Sequence, residues 1–338
     1  MESFKVICIG SFGHLVDVFD ELVEMPQVQF VGYAPAYEGE NLDRVKNHRF
    51  CGSTAKFYED FRQLLKSAQP NLAIVSTRLD LIADVAAEAA SFGCHLICEK
   101  PLAINHERLE NLYVAVKRSG VGIMAMFTMR SLPAFIAARS VCQSGRIGQI
   151  VLVNSRKSYK WGQRPAWFAR RDTYGGTIGW IGIHALDMTR FVTGTWFVSV
   201  AAMQSNFAHR DFQDCEDNCA LILSLANGGH ATASIDILRP EAAPTHGDDW
   251  IRIVGTKGVI EANGTANTCH LLLNEGTPQN LALGEPEKIY RQFIQHLLDG
   301  KSVGGIAEDS FMLTYVSLCA RDAADKSVIQ SIDQKFSF

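Results

Sequence analysis

The sequence has no apolar run of the ~18 residues that a membrane-crossing helix needs, so no membrane association is expected. It has no excess of positive charge either. Its 32 Lys and Arg stand against 36 Asp and Glu, a formal net charge of −4, which argues against a partner with a phosphate backbone. No CxxC pair occurs. The nine cysteines are scattered, and the nearest spacings, Cys94/Cys98 and Cys215/Cys219, fit neither a disulfide framework nor a zinc ribbon. The start, Met1-Glu2-Ser3-Phe4-Lys5, runs into an apolar strand without the pattern of a signal peptide. A cytoplasmic chain with reduced thiols is the expectation. Internal repeats, low-complexity tracts and long linkers are also lacking. What remains is ordinary globular usage, 47% hydrophobic and 20% charged over 338 residues. That length accommodates two domains at ~100–200 residues each and excludes a fibrous or disordered protein.

The first third alternates short apolar runs with helical stretches. Lys5 to Ile9, Val28 to Val31, Leu72 to Ser76, His95 to Cys98 and Val121 to Phe127 read as buried strands. Helical patterns separate them at His14 to Val23, Tyr58 to Ser67, Leu81 to Phe92 and Glu107 to Ser119. That alternation predicts a doubly wound, parallel α/β sheet over residues 1–124. Residues 125–338 differ. Helices are expected at Leu132 to Gln143 and Gly179 to Val192, and a strand at Ile147 to Ser155. The stretch Ser158 to Thr173 is aromatic and basic without a clear period. Strand-like runs then follow at meander spacing, separated by turns such as Asn227-Gly228-Gly229. They predict an α+β domain with an open, mostly antiparallel sheet, closed by helices at Pro286 to Leu298 and Ala307 to Ala324.

A strand ending at Gly10 before a helix near His14 is the setting for a dinucleotide pyrophosphate, which the unpaired N–H groups of a helix start attract. The loop reads Gly10-Ser11-Phe12-Gly13-His14-Leu15. Phe12 fills the second glycine position of GxGxxG and Leu15 the third; a loop one residue longer would use Gly13 and place Val16 against the sheet. The second strand has no acid at its tip, Val31-Gly32-Tyr33-Ala34-Pro35. Glu38 and Glu40, a few residues on, are expected to be solvated, with a place at the ribose as the alternative, and Arg44 could meet a 2′-phosphate or simply lie on a helix surface. On these residues alone a nucleotide site and a plain strand-turn-helix with glycines for geometry stand as alternatives, and the cofactor type stays open.

Residues 95 to 103, a buried strand followed by Glu99-Lys100-Pro101, resemble the Gfo/Idh/MocA oxidoreductases, the glucose-fructose oxidoreductase and inositol dehydrogenase family. The likeness continues in Gly145-Arg146-Ile147-Gly148, in Gly175-Gly176-Thr177, in Gly182-Ile183-His184-Ala185-Leu186-Asp187 and in the helix from Ala307. The resemblance implies that Lys100 lies beside the nicotinamide and moves the substrate hydroxyl proton. It also implies that Glu99 faces the cofactor ribose or positions Lys100, and that Ser76, Thr77 and Arg78 lie over the cofactor. A ligand at the carboxyl end of a parallel strand agrees with the general rule for such sheets.

The family's second motif, Asp-x-Gly-x-His, reads Trp180-Ile181-Gly182-Ile183-His184 here. The histidine matches, and Trp180 replaces the aspartate. Helical spacing would put Trp180, His184 and Asp187 on one stripe, with Asp187 supporting the structure. Trp180 is either a flat pocket face or core filler. Between Tyr159 and Phe168, Trp161, Arg164 and Trp167 combine rings with hydrogen-bond donors, which suits a sugar or polyol or anchors a loop. Thr245-His246-Gly247-Asp248-Asp249 is expected on a turn between strands, where His246 either enters that pocket or, the expected case, is solvated. No helix or hairpin spacing joins His184, His209 and His246 into a metal site, and no metal is expected.

The expected activity is hydride transfer from a secondary alcohol of a sugar, glycoside or cyclitol to NAD(P), with Lys100 and His184 catalytic. One rival is a redox-neutral enzyme that eliminates or epimerises with bound NAD. Another is a binding protein, since the family includes a fungal galactose-pathway repressor without activity. The resemblance further implies a homodimer or homotetramer formed through the C-terminal sheet.

Overall fold

A computed structural model describes residues 3–338; Met1 and Glu2, the start of the run read as leading into the first strand, lie outside the described residues. The chain divides into two compact units. The first comprises residues up to Met126 together with Lys288–Thr314 and Lys335–Phe338, and the second Phe127–Glu287 with Tyr315–Gln334.

In the first unit, β1 (Phe4–Ile9), α1 (Leu15–Leu22), β2 (Val28–Ala34), α2 (Asp43–Lys46), β3 (Lys56–Phe57) and α3 (Phe61–Ala68) form the first half of a doubly wound sheet. The second half is β4 (Leu72–Val75), α4 (Ile82–Ser91), β5 (His95–Cys98), α5 (His106–Ser119) and β6 (Ile123–Ala125). The six strands run parallel in the order β3-β2-β1-β4-β5-β6. Every residue of β4 is buried, as a strand covered on both faces requires. The helices carry their own stops. Asn105 caps α5 by accepting from the Arg108 N–H at 2.9 Å, and Gly120 closes it at φ +65°. Under α1, Phe19 meets Phe30 and Phe50 edge-on, each at 5.2 Å.

The second unit opens with α6 (Pro133–Gln143), β7 (Ile150–Lys160), α7 (Arg171–Tyr174) and α8 (Ile183–Thr193). The meander follows: β8 (Phe197–Ser205), β9 (Asn218–Leu225), β10 (His230–Arg239), β11 (Gly247–Gly255), β12 (Gly258–Asn263), β13 (Thr268–Leu273) and β14 (Gln279–Asn280). The chain then forms α9 (Ile289–Leu298), α10 (Gly304–Lys326) and β15 (Gln330–Ser331). Nine strands make one sheet in the order β14-β13-β12-β11-β7-β10-β9-β8-β15. All its neighbours pair antiparallel except β7 and β10. Side chains alternate between a buried face (Val153, Leu223, Ala231, Ile253) and an open one.

Four expectations need correction. The first unit ends at Met126 and takes back residues 288–314, because Ile289, Tyr290, Phe293 and Ile294 complete the core around Phe19. Glu21 accepts from the Tyr290 and Arg291 N–H groups and so caps α9. Strand β7 continues to Lys160, five residues past Ser155, and β11 starts at Gly247, so Asp248 and Asp249 belong to a strand, not a turn. Finally, Ile178–Gly182 winds as a π-helix before α8. That wider winding takes Trp180 out of the α-helical spacing, whereas His184 and Asp187 keep theirs on α8.

Candidate functional site

In the first unit the candidate nucleotide residues converge where β1 and β4 lie side by side and the connections diverge to opposite sides of the sheet. Gly10 has φ +84°, and a Cβ there would stand 2.5 Å from the Ser76 carbonyl oxygen. Gly13 has φ +67°, and its Cβ would stand 1.9 Å from Glu99 Oε2. Both positions therefore demand glycine, for conformation and for close approach. The Phe12 N–H donates to Ser76 O at 2.7 Å, and the Ser76 hydroxyl donates back to Phe12 O. Phe12, whose bulk opposed the glycine fingerprint, thus sits in a loop stitched to the end of β4, with its side chain half-exposed.

Glu99 is fully buried and does for α1 what no side chain in the loop does. Its Oε2 accepts from the His14 N–H at 2.5 Å, and Oε1 lies 2.9 Å from His14 Nδ1 and 3.1 Å from the Lys100 N–H. A carboxylate at a helix start is favoured by the unpaired N–H groups and the helix dipole. Burial pushes the Glu99 carboxyl up, but His14, by charge and hydrogen bond, and Lys100 together bring it below the usual carboxylate range. Of its two expected roles, holding the loop and Lys100 fits this geometry. Lys100 itself is fully buried, with Nζ 3.9 Å from Glu99 Oε1.

Glu40 is the residue that sequence reasoning undervalued. It folds back from beyond β2, and its carboxylate accepts from the Ala36 N–H at 2.7 Å, from Thr77 Oγ1 at 2.6 Å and from the Ser11 backbone. Burial raises its pKa against those hydrogen bonds. An acid thus stands at the tips of β1, β2 and β4 although Ala34, at the end of β2, is apolar. Arg78 pairs with Asp80 at 2.6 Å and lies over the Tyr37 ring at 5.0 Å, and Arg44 donates to Gly13 O at 2.9 Å. The Ser11 hydroxyl is buried without a hydrogen-bond partner. That orphan donor, the two Cβ-free positions and the helix start fit a dinucleotide's pyrophosphate.

In the second unit, His184 and Asp187 lie fully buried on α8. Asp187 accepts from Arg130 Nε at 2.7 Å and lies 2.6 Å from its Nη2, a buried pair that agrees with a supporting role. Trp180 is 6% exposed and meets Phe168 edge-on at 6.2 Å. Phe168 in turn stacks on Trp167 at 4.3 Å. Trp161 stacks on His209 at 3.6 Å, a contact that no spacing announced. His246 packs against Tyr159 at 4.9 Å. Its imidazole is pushed down by burial first, then by Arg164, Lys157 and Lys160. Lys157, buried on the inner face of β7, pairs with Asp249 across the strands at 2.6 Å. Among the described residues, no cluster of three His, Cys, Asp or Glu could hold a metal ion, and no helix is long and apolar enough to cross a membrane.

A glycine-shaped loop at the switch point of a doubly wound sheet, followed by a buried Glu-Lys pair, defines a Rossmann-type oxidoreductase. Residues 43–127 match the family model for the oxidoreductase family with an NAD-binding Rossmann fold, and residues 135–261 match the GFO/IDH/MocA C-terminal domain. An oxidoreductase structure from Thermotoga maritima is 33% identical, with a TM-score of 0.92, covering 97% of this chain and all of that one. The chain belongs to the Gfo/Idh/MocA oxidoreductase family. Levoglucosan dehydrogenase of Pseudarthrobacter phenanthrenivorans is 28% identical over 78% of this chain and 74% of its own length. The 2,7-anhydro-N-acetylneuraminate hydratase of Escherichia coli is 25% identical over 77% and 67%.

Proposed function

We propose that the protein oxidises a secondary alcohol of a sugar, glycoside or cyclitol and passes the hydride to NAD in preference to NADP. The observation that carries this reading is Lys100, fully buried beside Glu99 at the carboxyl end of β5. Burying an ammonium costs several kcal/mol unless it is paired, so a solvated loop lysine is a poor account of it. The likeness to levoglucosan dehydrogenase supports the substrate class. When bound, the nicotinamide supplies the hydride acceptor. The chain supplies the rest. Gly10 to His14 seat the pyrophosphate, Ser76, Thr77 and Arg78 border the cofactor, Lys100 accepts the hydroxyl proton, and His184 orients the hydroxyl. Trp161, Arg164, Trp167, Trp180 and His246 contact the sugar. Trp180→Ala is then expected to raise KM more than it lowers kcat, and His184→Ala the reverse. Steady-state kinetics on both variants separates the two roles.

Glu40 supports the preference for NAD. Three donors leave part of its acceptor capacity for ribose hydroxyls, whereas a 2′-phosphate there would meet a carboxylate. Glu40→Gln is expected to shift the NADP-to-NAD affinity ratio about tenfold toward NADP, the scale of one charge-assisted hydrogen bond. Titration of both cofactors reads it directly; an unchanged ratio would reduce Glu40 to a loop latch.

The hydratase relative favours a second reading, a redox-neutral reaction with bound NAD. Denaturing the purified protein, identifying released nucleotide by mass spectrometry, and following reduced cofactor during turnover decides between the two. Net dehydrogenation accumulates NADH, and the redox-neutral reaction does not. Absence of any nucleotide binding would refute both. A second copy of the chain on the open sheet face is part of the proposal, supported by Met203 and Ile222, 79% and 62% exposed there on adjacent strands.

A further inference from the structure

Arg164 follows β7 in the second unit, and its guanidinium stands over the Trp161 ring at 5.6 Å and the Phe168 ring at 5.2 Å. Aromatic faces attract a cation but offer its N–H groups no lone pair in their plane. Nε and Nη2 are both buried, and neither has a hydrogen-bond partner. These two nitrogens form one edge of the guanidinium, the edge that meets both oxygens of a carboxylate side on. An apolar side chain would pack between the two rings without leaving buried donors unmatched.

The surroundings are mostly of the same sign. Arg164, Lys157 and Lys160 all act on the His246 imidazole, against Glu241. Lys157 is balanced by Asp249, whereas the Lys160 ammonium donates to the uncharged carbonyl oxygen of Glu241 at 2.7 Å. Three cations against Glu241 leave the surroundings of His246 positive on balance, and among the described residues neither Arg164 nor Lys160 stands in an ion pair with a carboxylate.

We infer that the substrate carries a carboxylate, bound through Arg164 Nε and Nη2, so that its class is an acidic sugar of the uronic acid type. This rests on the reading of a sugar oxidoreductase and names the substrate within it. Because both nitrogens are shielded from solvent, the arriving carboxylate displaces part of their cover; the half-exposed Trp161 ring is one piece of it.

Matched pairs test the inference: glucuronate against glucose and galacturonate against galactose, with glucose 6-phosphate alongside. Binding is read by calorimetry, with and without NAD. The wild-type chain is expected to bind at least one acid ten- to a hundredfold more tightly than its neutral partner, the size of a charge-assisted pair. Arg164→Gln removes that preference, and Arg164→Lys, which keeps the charge without the fork, retains only part of it. Neutral sugars binding as tightly as the acids, no acid binding at all, or a preference that survives Arg164→Gln would each overturn the inference. So would Arg164-dependent binding confined to the phosphate. The wild-type ratio stands even if a variant fails to fold. Calorimetry does not depend on hydride transfer, so a failure of the oxidoreductase reading shows separately, as absence of NADH with every sugar.

Discussion

Lys100→Met is expected to lower turnover by roughly two to four powers of ten, the usual contribution of a positioned proton-transfer group, while cofactor affinity changes little. The substitution keeps the length and much of the volume of a side chain that is fully buried, so packing is largely conserved. Glu99 loses one neighbour at 3.9 Å and keeps its contacts with the His14 backbone, the His14 ring and the Lys100 N–H. The loop at Gly10 to Gly13 should therefore still seat a nucleotide. Fluorescence titration of NADH measures affinity, and single-turnover kinetics isolates the chemical step from product release. An unimpaired rate would remove Lys100 from the chemistry. A large loss of NADH affinity would instead make it part of the cofactor's electrostatic seat.

The first unit was more legible than the second for a physical reason. Central parallel strands are buried on both faces, so Leu72 to Val75 and His95 to Cys98 appear as unbroken apolar runs between helices. Strand β7 shows the opposite case. Its inward positions include Ser155, Lys157 and Tyr159, so the pattern looked finished at Ser155 although the pairing continues to Lys160. The cross-strand partner Asp249, 92 positions away, makes a lysine acceptable there, and no local window contains it. The return of residues 288–314 to the first unit is equally remote, depending on Glu21 and on a core that only the folded chain assembles.

Candidate site residues divide along the same line. Glu99-Lys100-Pro101 and His184 stand out because the family motif is contiguous. Glu40 read as a solvated acid because it lies six residues beyond the strand tip at Ala34, and only the turn back toward Ala36, Ser11 and Thr77 brings its carboxylate to the crevice. Trp180 was assigned a direction by α-helical arithmetic, which the π turn at Ile178–Gly182 invalidates.

Gly13→Ala is expected to damage both the stability of the chain and its hold on NAD(H). At φ +67° an L-residue already carries about 1–2 kcal/mol of strain. The added Cβ would also lie 1.9 Å from Glu99 Oε2 and 2.4 Å from its Cδ. The far end of a side chain can normally give way, but this one is buried and held by the His14 N–H at 2.5 Å and the His14 ring at 2.9 Å. Moving it breaks the charge-assisted contacts to the His14 N–H and ring, a loss of about 1.5–3 kcal/mol. Together these predict about 2–5 kcal/mol of lost stability and, on the proposal that this loop seats the pyrophosphate, at least a tenfold weaker hold on NAD(H). Gly39→Ala is the control. Gly39 has φ +79°, but nothing lies within 4 Å of its Cβ position, so only the backbone strain of about 1–2 kcal/mol applies. Urea midpoints for both variants, with NADH titrations beside them, separate strain from collision. The double variant Gly13→Ala/Glu99→Ala should recover part of the stability lost to collision, and the cycle measures the coupling. If Gly13→Ala proves no worse than Gly39→Ala and binds NADH normally, Glu99 does not hold the loop.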